Sequence, residues 1–318
     1  AILFNNAKNI TVKNITIAGK SIAGFGPMYS VVQFLTKNKN IQLVGNRIID
    51  STYDPNPQNL NNVGLSLISN IDYAAATNIN YPASRDSGAL INGNRLVQVN
   101  NGNFTTAVEL RGGYSIDYAN NITVSHYLNN TTFSNNIFDL KIANKRGFES
   151  KYNDSLKITG NKITGSVSAD GKDLIVFDKN DVYHEGYSSI AVVINAGAGR
   201  VAGKPAIVSN NMIQTKVVGT YNGDYVNNAG LIVNGDRCNI IHNTLLATDT
   251  GYAASGYTQS ALFHLNGSRD TVKNNIFFNT NGGYLLMYNG VTNLISNYNN
   301  YFYTNHFSIN ASSLAQHK

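Results

Sequence analysis

The chain has 318 residues with a formal net charge of +6 and an isoelectric point near 9.2, and only 13% of them are charged, about half the share usual in soluble domains. One cysteine excludes an internal disulfide, and no apolar run approaches the length of a membrane-spanning helix. The positive excess is thin and forms no Lys/Arg-rich segment, which argues against nucleic acid and leaves an acidic polymer as the partner that charge would favour.

The first residues, AILFNNAKNITV, enter a strand pattern at once, without an initiator Met, a signal peptide or a capping helix. A first strand edge left open in this way needs a cover, so the chain is expected to be a mature or excised part of a longer protein, or to meet a neighbouring domain or subunit there. Apolar-Asn-apolar units follow: Asn14 in TVKNITI, Asn46 in LVGNRII, Asn161 in ITGNKIT and Asn211 in VSNNMIQ. Asn14 to Asn46 is 32 residues, as is Asn211 to Asn243, whereas Asn161 to Asn211 is 50 and implies an insertion. Later the chain writes nearly the same stretch twice, VNGDRCNIIHN from Val233 and LNGSRDTVKNN from Leu265, again offset by 32. A second asparagine series, Asn195, Asn234, Asn266 and Asn289, closes the apolar runs VVIN, LIVN, LFHLN and LLMYN.

A fixed offset marks a repeat architecture, in which one small unit stacks on the next because neither buries its apolar side alone. Short runs of Ile, Val, Leu and Phe bounded by Asn and Gly read as strands between tight turns. Asn tolerates the left-handed backbone of such turns, and its amide both donates and accepts, so equivalent asparagines are expected to form ladders from coil to coil. Cys238 has Asp270 as its repeat partner and is expected near a turn rather than in the core.

These repeated apolar-Asn-apolar units, visible from about Asn9 to Phe302, resemble those of the right-handed parallel β-helix proteins, which include pectate lyases, polygalacturonases, mannuronan epimerases and phage tailspikes. The resemblance implies an all-β, right-handed parallel β-helix, a solenoid of roughly nine or ten coils about 4.8 Å apart. It implies one domain over 1–318, with 305–318 as a C-terminal cap or tail. An extracellular or surface-displayed bacterial or phage protein is the expected setting. Such proteins share the coil and differ in chemistry, so the fold alone assigns no function.

Function is expected where the repeat is interrupted. The long turns at about 18–29, 50–63, 215–229 and 247–260, with a short one at 280–283, leave from equivalent positions and carry Tyr53, Tyr221, Tyr225, Tyr252 and Tyr257 in or beside them. Tyrosine offers an apolar face and a hydroxyl to a sugar, although the same rings serve equally to pack loops on the rod. Arg237 and Arg269 fall in register on adjacent coils and form a candidate strip for uronate or sulfate groups, or a solvated strip balanced by Asp236 and Asp270. The stretch FDKNDVYHEGYSS crowds Asp178, Asp181, His184 and Glu185 within eight residues, and these are the catalytic candidates. Two carboxylates about 5–5.5 Å apart serve a retaining glycosidase and a wider pair an inverting one, while a solvated polar loop is the alternative.

Family signatures are incomplete. His184 stands between Tyr183 and Glu185 rather than in the Gly-His-Gly turn of polygalacturonases, no acidic calcium ladder of the pectate-lyase kind is present, and Tyr53-Asp54-Pro55-Asn56 only partly resembles the mannuronan epimerase signature. The stretch LKIANKRGFESK holds Lys141, Lys145, Arg146 and Lys151, where a lyase would find a base or charge neutraliser, or where a plain surface turn would lie. The six histidines show no paired spacing, so neither a metal nor a cofactor is expected. The sequence thus points to an extracellular module that recognises polysaccharide, an acidic one among the candidates, or processes it as a lyase, hydrolase or epimerase. A structural stalk, adhesin or virion spike segment is the third reading.

Overall fold

A sharp two-residue turn recurs from coil to coil and sets the architecture. Its first residue has a left-handed backbone, with φ between 53° and 68°, at Asn14, Gly45, Gly93 and Asn135, and again at Gly160, Lys179, Asn210, His242, Asn274 and Tyr298. Glycine and asparagine adopt this conformation at least cost, which explains most of that column. The residue after it is an inward-pointing asparagine in every coil but the first, where the exposed Ile15 stands.

The computed structural model describes residues 2–19, 30–34, 37–50, 66–69, 86–98, 106–117, 122–126, 128–140, 146–186, 190–197, 205–217, 229–248, 261–280, 284–303 and 309–311. These contain strands and no helix. They fall into two units, Ala1–Lys157 and Ile158–Lys318. In each, the chain runs through a first, a second and a third parallel face and then repeats, so that every strand pairs with its equivalent one coil on. This is a right-handed parallel β-helix, the hand that parallel crossovers within a sheet adopt.

The third face counts the coils. It holds Thr16–Gly19, Arg47–Asp50, Arg95–Gln98 and Ile137–Asp139 in the first unit. In the second it holds Lys162–Thr164, Asp181–Gly186, Met212–Val217, Thr244–Ala247, Ile276–Asn279 and Asn300–Tyr303. The long turns predicted at 18–29, 50–63 and 247–260 start at the end of this face and return to the start of the first, as Gly19 to Ser30, Asp50 to Ser66 and Ala247 to Ala261 show. The turns themselves lie outside the described residues. So does most of 305–318, although Ile309–Ala311 adds a strand to the first face.

The turn asparagines form the ladder. In the first unit Asn46 Nδ2 donates to Asn94 Oδ1 at 3.1 Å and Asn94 Nδ2 to Asn136 Oδ1 at 3.0 Å. In the second the chain of amides runs Asn161, Asn180, Asn211, Asn243, Asn275, Asn299 at 2.8–3.1 Å. Each Oδ1 also accepts the backbone N–H of the preceding asparagine, as at Asn211 to Asn243, 3.1 Å, and the second Nδ2 hydrogen goes to a carbonyl, as from Asn243 to Val208, 2.8 Å. A buried amide is thereby satisfied on both sides.

Three expectations change. Asn14 is not a rung: it occupies the left-handed position, and Ile15 takes the ladder place, its N–H donating to Asn46 Oδ1 at 3.2 Å. The 50 residues between Asn161 and Asn211 hold no insertion but one more coil, whose rung Asn180 lies 19 residues after Asn161. That coil is short because Gly165 turns directly from Lys162–Thr164 into Ser166–Asp178, a single strand that pairs with Ile190–Ala196 and then with Ala206–Ser209. Cys238 follows a turn yet is fully buried.

Apolar residues stack inside at the same period. Val192, Leu231, Phe263 and Leu286 form one column, and Phe263, Phe277 and Tyr301 stack ring on ring at 5.4 Å and 5.5 Å. One departure from the coil is an antiparallel hairpin, Gly113–Asp117 with Ile122–His126, which leaves directly after Thr106–Arg111.

Replacing Asn243 by Ala strands the Asn211 backbone and side-chain N–H groups and the Val208 carbonyl, at a cost of about 3 kcal/mol. Urea unfolding is expected to show this loss, whereas Asn266→Ala on the outer surface costs under about 1 kcal/mol.

Candidate functional site

The carboxylates that crowd together in sequence are separated by the turn at Lys179 and by strand alternation. Asp178 ends a second-face strand, and its Oδ1 accepts from Ser209 Oγ at 2.6 Å and Asn210 Nδ2 at 2.8 Å. Asp181 is exposed on the third face, in register with Lys162 and Met212. His184 points inward and is 4% exposed. Glu185 faces outward on the same strand as Asp181, but four residues along an extended chain, which is about 13 Å. Asp181 and Glu185 therefore stand apart along one outer face, while Asp178 lies on another face and His184 points into the coil.

Glu185 gathers different partners. Tyr183 donates its hydroxyl to Oε2 at 2.6 Å, and Lys216, in register on the next coil, approaches Oε1 at 3.2 Å. Burial and then the Glu185 carboxylate push the Tyr183 hydroxyl up to about 12, so it stays protonated and holds the carboxylate in place.

Arg237 and Arg269 occupy equivalent turn positions on adjacent coils, both in the left-handed conformation with φ of 60° and 61°, and the next coil has Asn293 at the same place. Arg269 reaches Asp236 Oδ2 at 3.5 Å, while Asp236 Oδ1 accepts from Ser268 N and Oγ at 2.9 Å and 3.0 Å. Gly267 is required beneath them, because a Cβ there would lie 1.6 Å from the Gly235 carbonyl oxygen. Tyr53, Tyr221, Tyr225, Tyr252 and Tyr257 lie outside the described residues.

The outer side of the first face carries two further arrangements. In the second unit Asn266 Nδ2 donates to Asn234 Oδ1, Asn234 Nδ2 to Asn195 Oδ1 at 2.6 Å, and Asn195 Nδ2 to Asp170 Oδ1. Beside this amide column runs a largely apolar one, Val193, Ile232, His264 and Met287, in register coil by coil. Asn289 Nδ2 donates to His264 Nε2 at 2.9 Å, which leaves Nδ1–H as the histidine's donor, and burial lowers its pKa so that it is neutral.

In the first unit the same side holds two glutamates in direct register, Glu109 and Glu149. Both are withdrawn from solvent, 9% and 1% exposed. Arg146 donates to Glu149 Oε2 at 2.7 Å and Lys151 approaches Oε1 at 3.0 Å. The sequence reading singled out the basic stretch but not this pair, because the two glutamates lie 40 residues apart. The signal that would have found them is the shared apolar-Glu pattern of AVEL and GFES one coil apart. Among the described residues no group of three or more His, Cys, Asp or Glu is placed to hold a metal ion.

No family model and no curated protein matches the chain. Among solved structures it is similar to PfbA, a surface adhesin of Streptococcus pneumoniae, at 13% identity and a TM-score of 0.45 over 95% of this chain and 62% of that one. It is also similar to the periplasmic alginate epimerase AlgG, at 12% identity and a TM-score of 0.35 over 88% of this chain and 66% of that one. The chain spans less than two thirds of the length of either.

Beneath the arginine column lies a buried acid. Asp270 is 0% exposed, its Oδ1 accepts the Cys238 N–H at 2.7 Å, and Oδ2 has no partner. Burial, with a smaller push from Asp236, raises its carboxyl to about 7. The folded chain thus holds this proton more tightly than the unfolded chain, whose carboxyl titrates near 3.8. Stability from this group is complete below about pH 4 and is lost as pH rises through 7. Asp270→Asn keeps an acceptor for Cys238 and removes the titration, so its melting temperature is expected to exceed wild type at pH 8, with a flatter profile between pH 4 and 7. Parallel profiles for the two proteins would contradict this.

Proposed function

We propose that the chain is an extracellular or surface-displayed β-helix module that recognises polysaccharide along the outer side of its first face. The observation that carries this reading is the amide column Asn195, Asn234, Asn266 running beside Val193, Ile232 and His264. Within the column Asn195 and Asn234 each spend one N–H and one lone pair on their neighbours and retain the other of each for a ligand. A pyranose ring is itself two-sided, with C–H groups on its faces and hydroxyls on its rim. A strip of amides next to a partly apolar strip, carried over three successive coils, matches that chemistry along a linear chain of sugars.

Arg237 and Arg269 follow three residues after Asn234 and Asn266, and give the strip a cationic edge suited to uronate or sulfate groups. Tyr225 and Tyr257 each stand four residues before a first-face strand and are proposed to extend the same surface. Glu185 with Tyr183 and Lys216 is a separate polar station on the third face.

Retention on a panel of neutral, uronate and sulfated polysaccharides tests the reading. The double variant Asn234→Ala/Asn266→Ala is expected to weaken retention about 10-fold or more, at about 1 kcal/mol per lost hydrogen bond, with little change in melting. Unchanged retention in a folded double variant would remove this face as the binding surface.

A further inference from the structure

We infer that Asp170 gives the outer amide column of the second unit a single direction, and that Asn266 Oδ1, at the open end of that column, takes a hydroxyl donated by the polysaccharide; this rests on the first-face reading above. Asp170, Asn195, Asn234, Asn266 and Asn289 lie in register on successive strands of the first face. A primary amide can stand in such a column either way up, with Nδ2 toward the earlier coil or toward the later one, and a row of amides alone is satisfied equally well in both senses. A carboxylate has no hydrogen to give, so it removes the choice. Asn195 must meet Asp170 with Nδ2, and its Oδ1 then faces Asn234. The same order passes along the row: Asn234 Nδ2 donates to Asn195 Oδ1 at 2.6 Å, and Asn266 Nδ2 to Asn234 Oδ1.

The column stops where its next member turns to another partner. Asn289 Nδ2 donates to His264 Nε2 at 2.9 Å instead of to Asn266, so among the described residues nothing donates to Asn266 Oδ1. Backbone bonds hold the strands in place along the row, Gly197 N–H to the Gly171 carbonyl at 2.7 Å and Gly235 N–H to the Asn266 carbonyl at 3.0 Å. Asp170, Asn195, Asn234 and Asn266 are each half-buried rather than closed off, which leaves the column open to a polymer lying along it.

Direction has two chemical consequences. A hydrogen bond to a charged group is stronger than one between neutral groups, and an amide that donates becomes a better acceptor at its oxygen, so the pull of Asp170 runs along the row to Asn266 Oδ1. The free groups are also sorted. The remaining N–H of Asn195 and of Asn234 lies on the Asp170 side of its amide, and the remaining lone pair on the other side. Sugar hydroxyls turn to suit either order, but ring oxygens, glycosidic oxygens and carboxylates only accept. A polymer matched to one order is therefore mismatched to its reverse. Asp170 acts as a positioning residue, through the amides rather than by touching the sugar.

The test moves the carboxylate to the other end of the row without changing composition or net charge. In Asp170→Asn/Asn266→Asp the acceptor-only group stands at position 266, and Asn195 and Asn234 are expected to turn Nδ2 toward it. Wild type and variant are compared for retention on the panel of neutral, uronate and sulfated polysaccharides at low and high salt, for melting, and for side-chain amide NMR spectra. Wild type is expected to show one far-downfield Nδ2 hydrogen at Asn195, the mark of a charge-assisted bond, and the double variant to show it at Asn234. Retention by the double variant is expected to fall about 10-fold or more at both salt concentrations, with little change in melting, because the loss comes from hydrogen bonds and not from a displaced charge that salt would screen. Asp170→Glu restores an acceptor-only end and is expected to bring back both the Asn195 signal and retention. A downfield signal that stays on Asn195 in the double variant overturns the direction, since a merely structural Asp170 would not move it to Asn234. A folded double variant that retains polymer as well as wild type overturns the directed ligand and leaves recognition standing. Wild type that retains no polymer overturns recognition and the ligand half of the inference together, while the amide signal still decides the direction. If the double variant does not fold, Asp170→Asn alone is expected to lose the Asn195 signal and to lower retention about 2-fold, as both directions become equally populated; an unchanged signal there overturns the inference.

Discussion

Everything in this fold depends on a primary amide buried at the same corner of each coil. A carboxamide inside a protein is costly unless both its donors and its acceptor are used, and in Asn211 and Asn243 they are: Oδ1 takes two N–H groups from the coil before, and Nδ2 gives one hydrogen to the next amide and one to a carbonyl. A coil slipped by one residue would put Asn outside and a neighbouring side chain in its place, leaving several of these groups unpaired at once. The ladder therefore fixes register, and register decides which outward side chains stack on which.

Function follows from that stacking. Where the outward first-face residues are Asn195, Asn234 and Asn266, a neutral row of amides results; where they are Glu109 and Glu149, two acids meet. The first arrangement is the surface proposed to meet hydroxyl-rich polymers, and in the second Glu149 is held by Arg146 and Lys151. Neither needs a change in the coil, only in which residue occupies an outward position. The buried Asp270 belongs to the same logic at another corner, where Asn38 and Asp86 in the first unit show the equivalent contact, Asn38 N–H to Asp86 Oδ1 at 2.6 Å.

The architecture was legible because the inward positions repeat with the chain. Asn243 and Asn275 announce the coil by their offset, and both asparagine series form ladders, one inside and one outside, except at Asn14 and at Asn289, which bonds His264 instead. Two rungs were misplaced, each for its own physical reason. A single asparagine serves either in the left-handed position or as the rung after it, so Asn14 reads like Asn46 in sequence although it precedes the rung by one residue. Asn180 escaped because its coil omits the long turn. The candidate sites were less legible, since closeness in sequence is not closeness in a solenoid. Four residues along a strand separate Asp181 from Glu185 more than 40 residues separate Glu109 from Glu149. Lys216 reaches Glu185 for the same reason, from one coil away.

The most direct test of the account is hydrogen exchange at the asparagine side chains, followed by NMR. Side-chain amide hydrogens ordinarily exchange fast, but both Nδ2 hydrogens of Asn211 and Asn243 are bonded inside the coil and should leave only when coils separate, about 100-fold more slowly than those of the outer Asn234. Equal, rapid exchange at Asn211, Asn243 and Asn234 would mean that no closed inner ladder exists, and the register on which the proposed surface depends would fall with it.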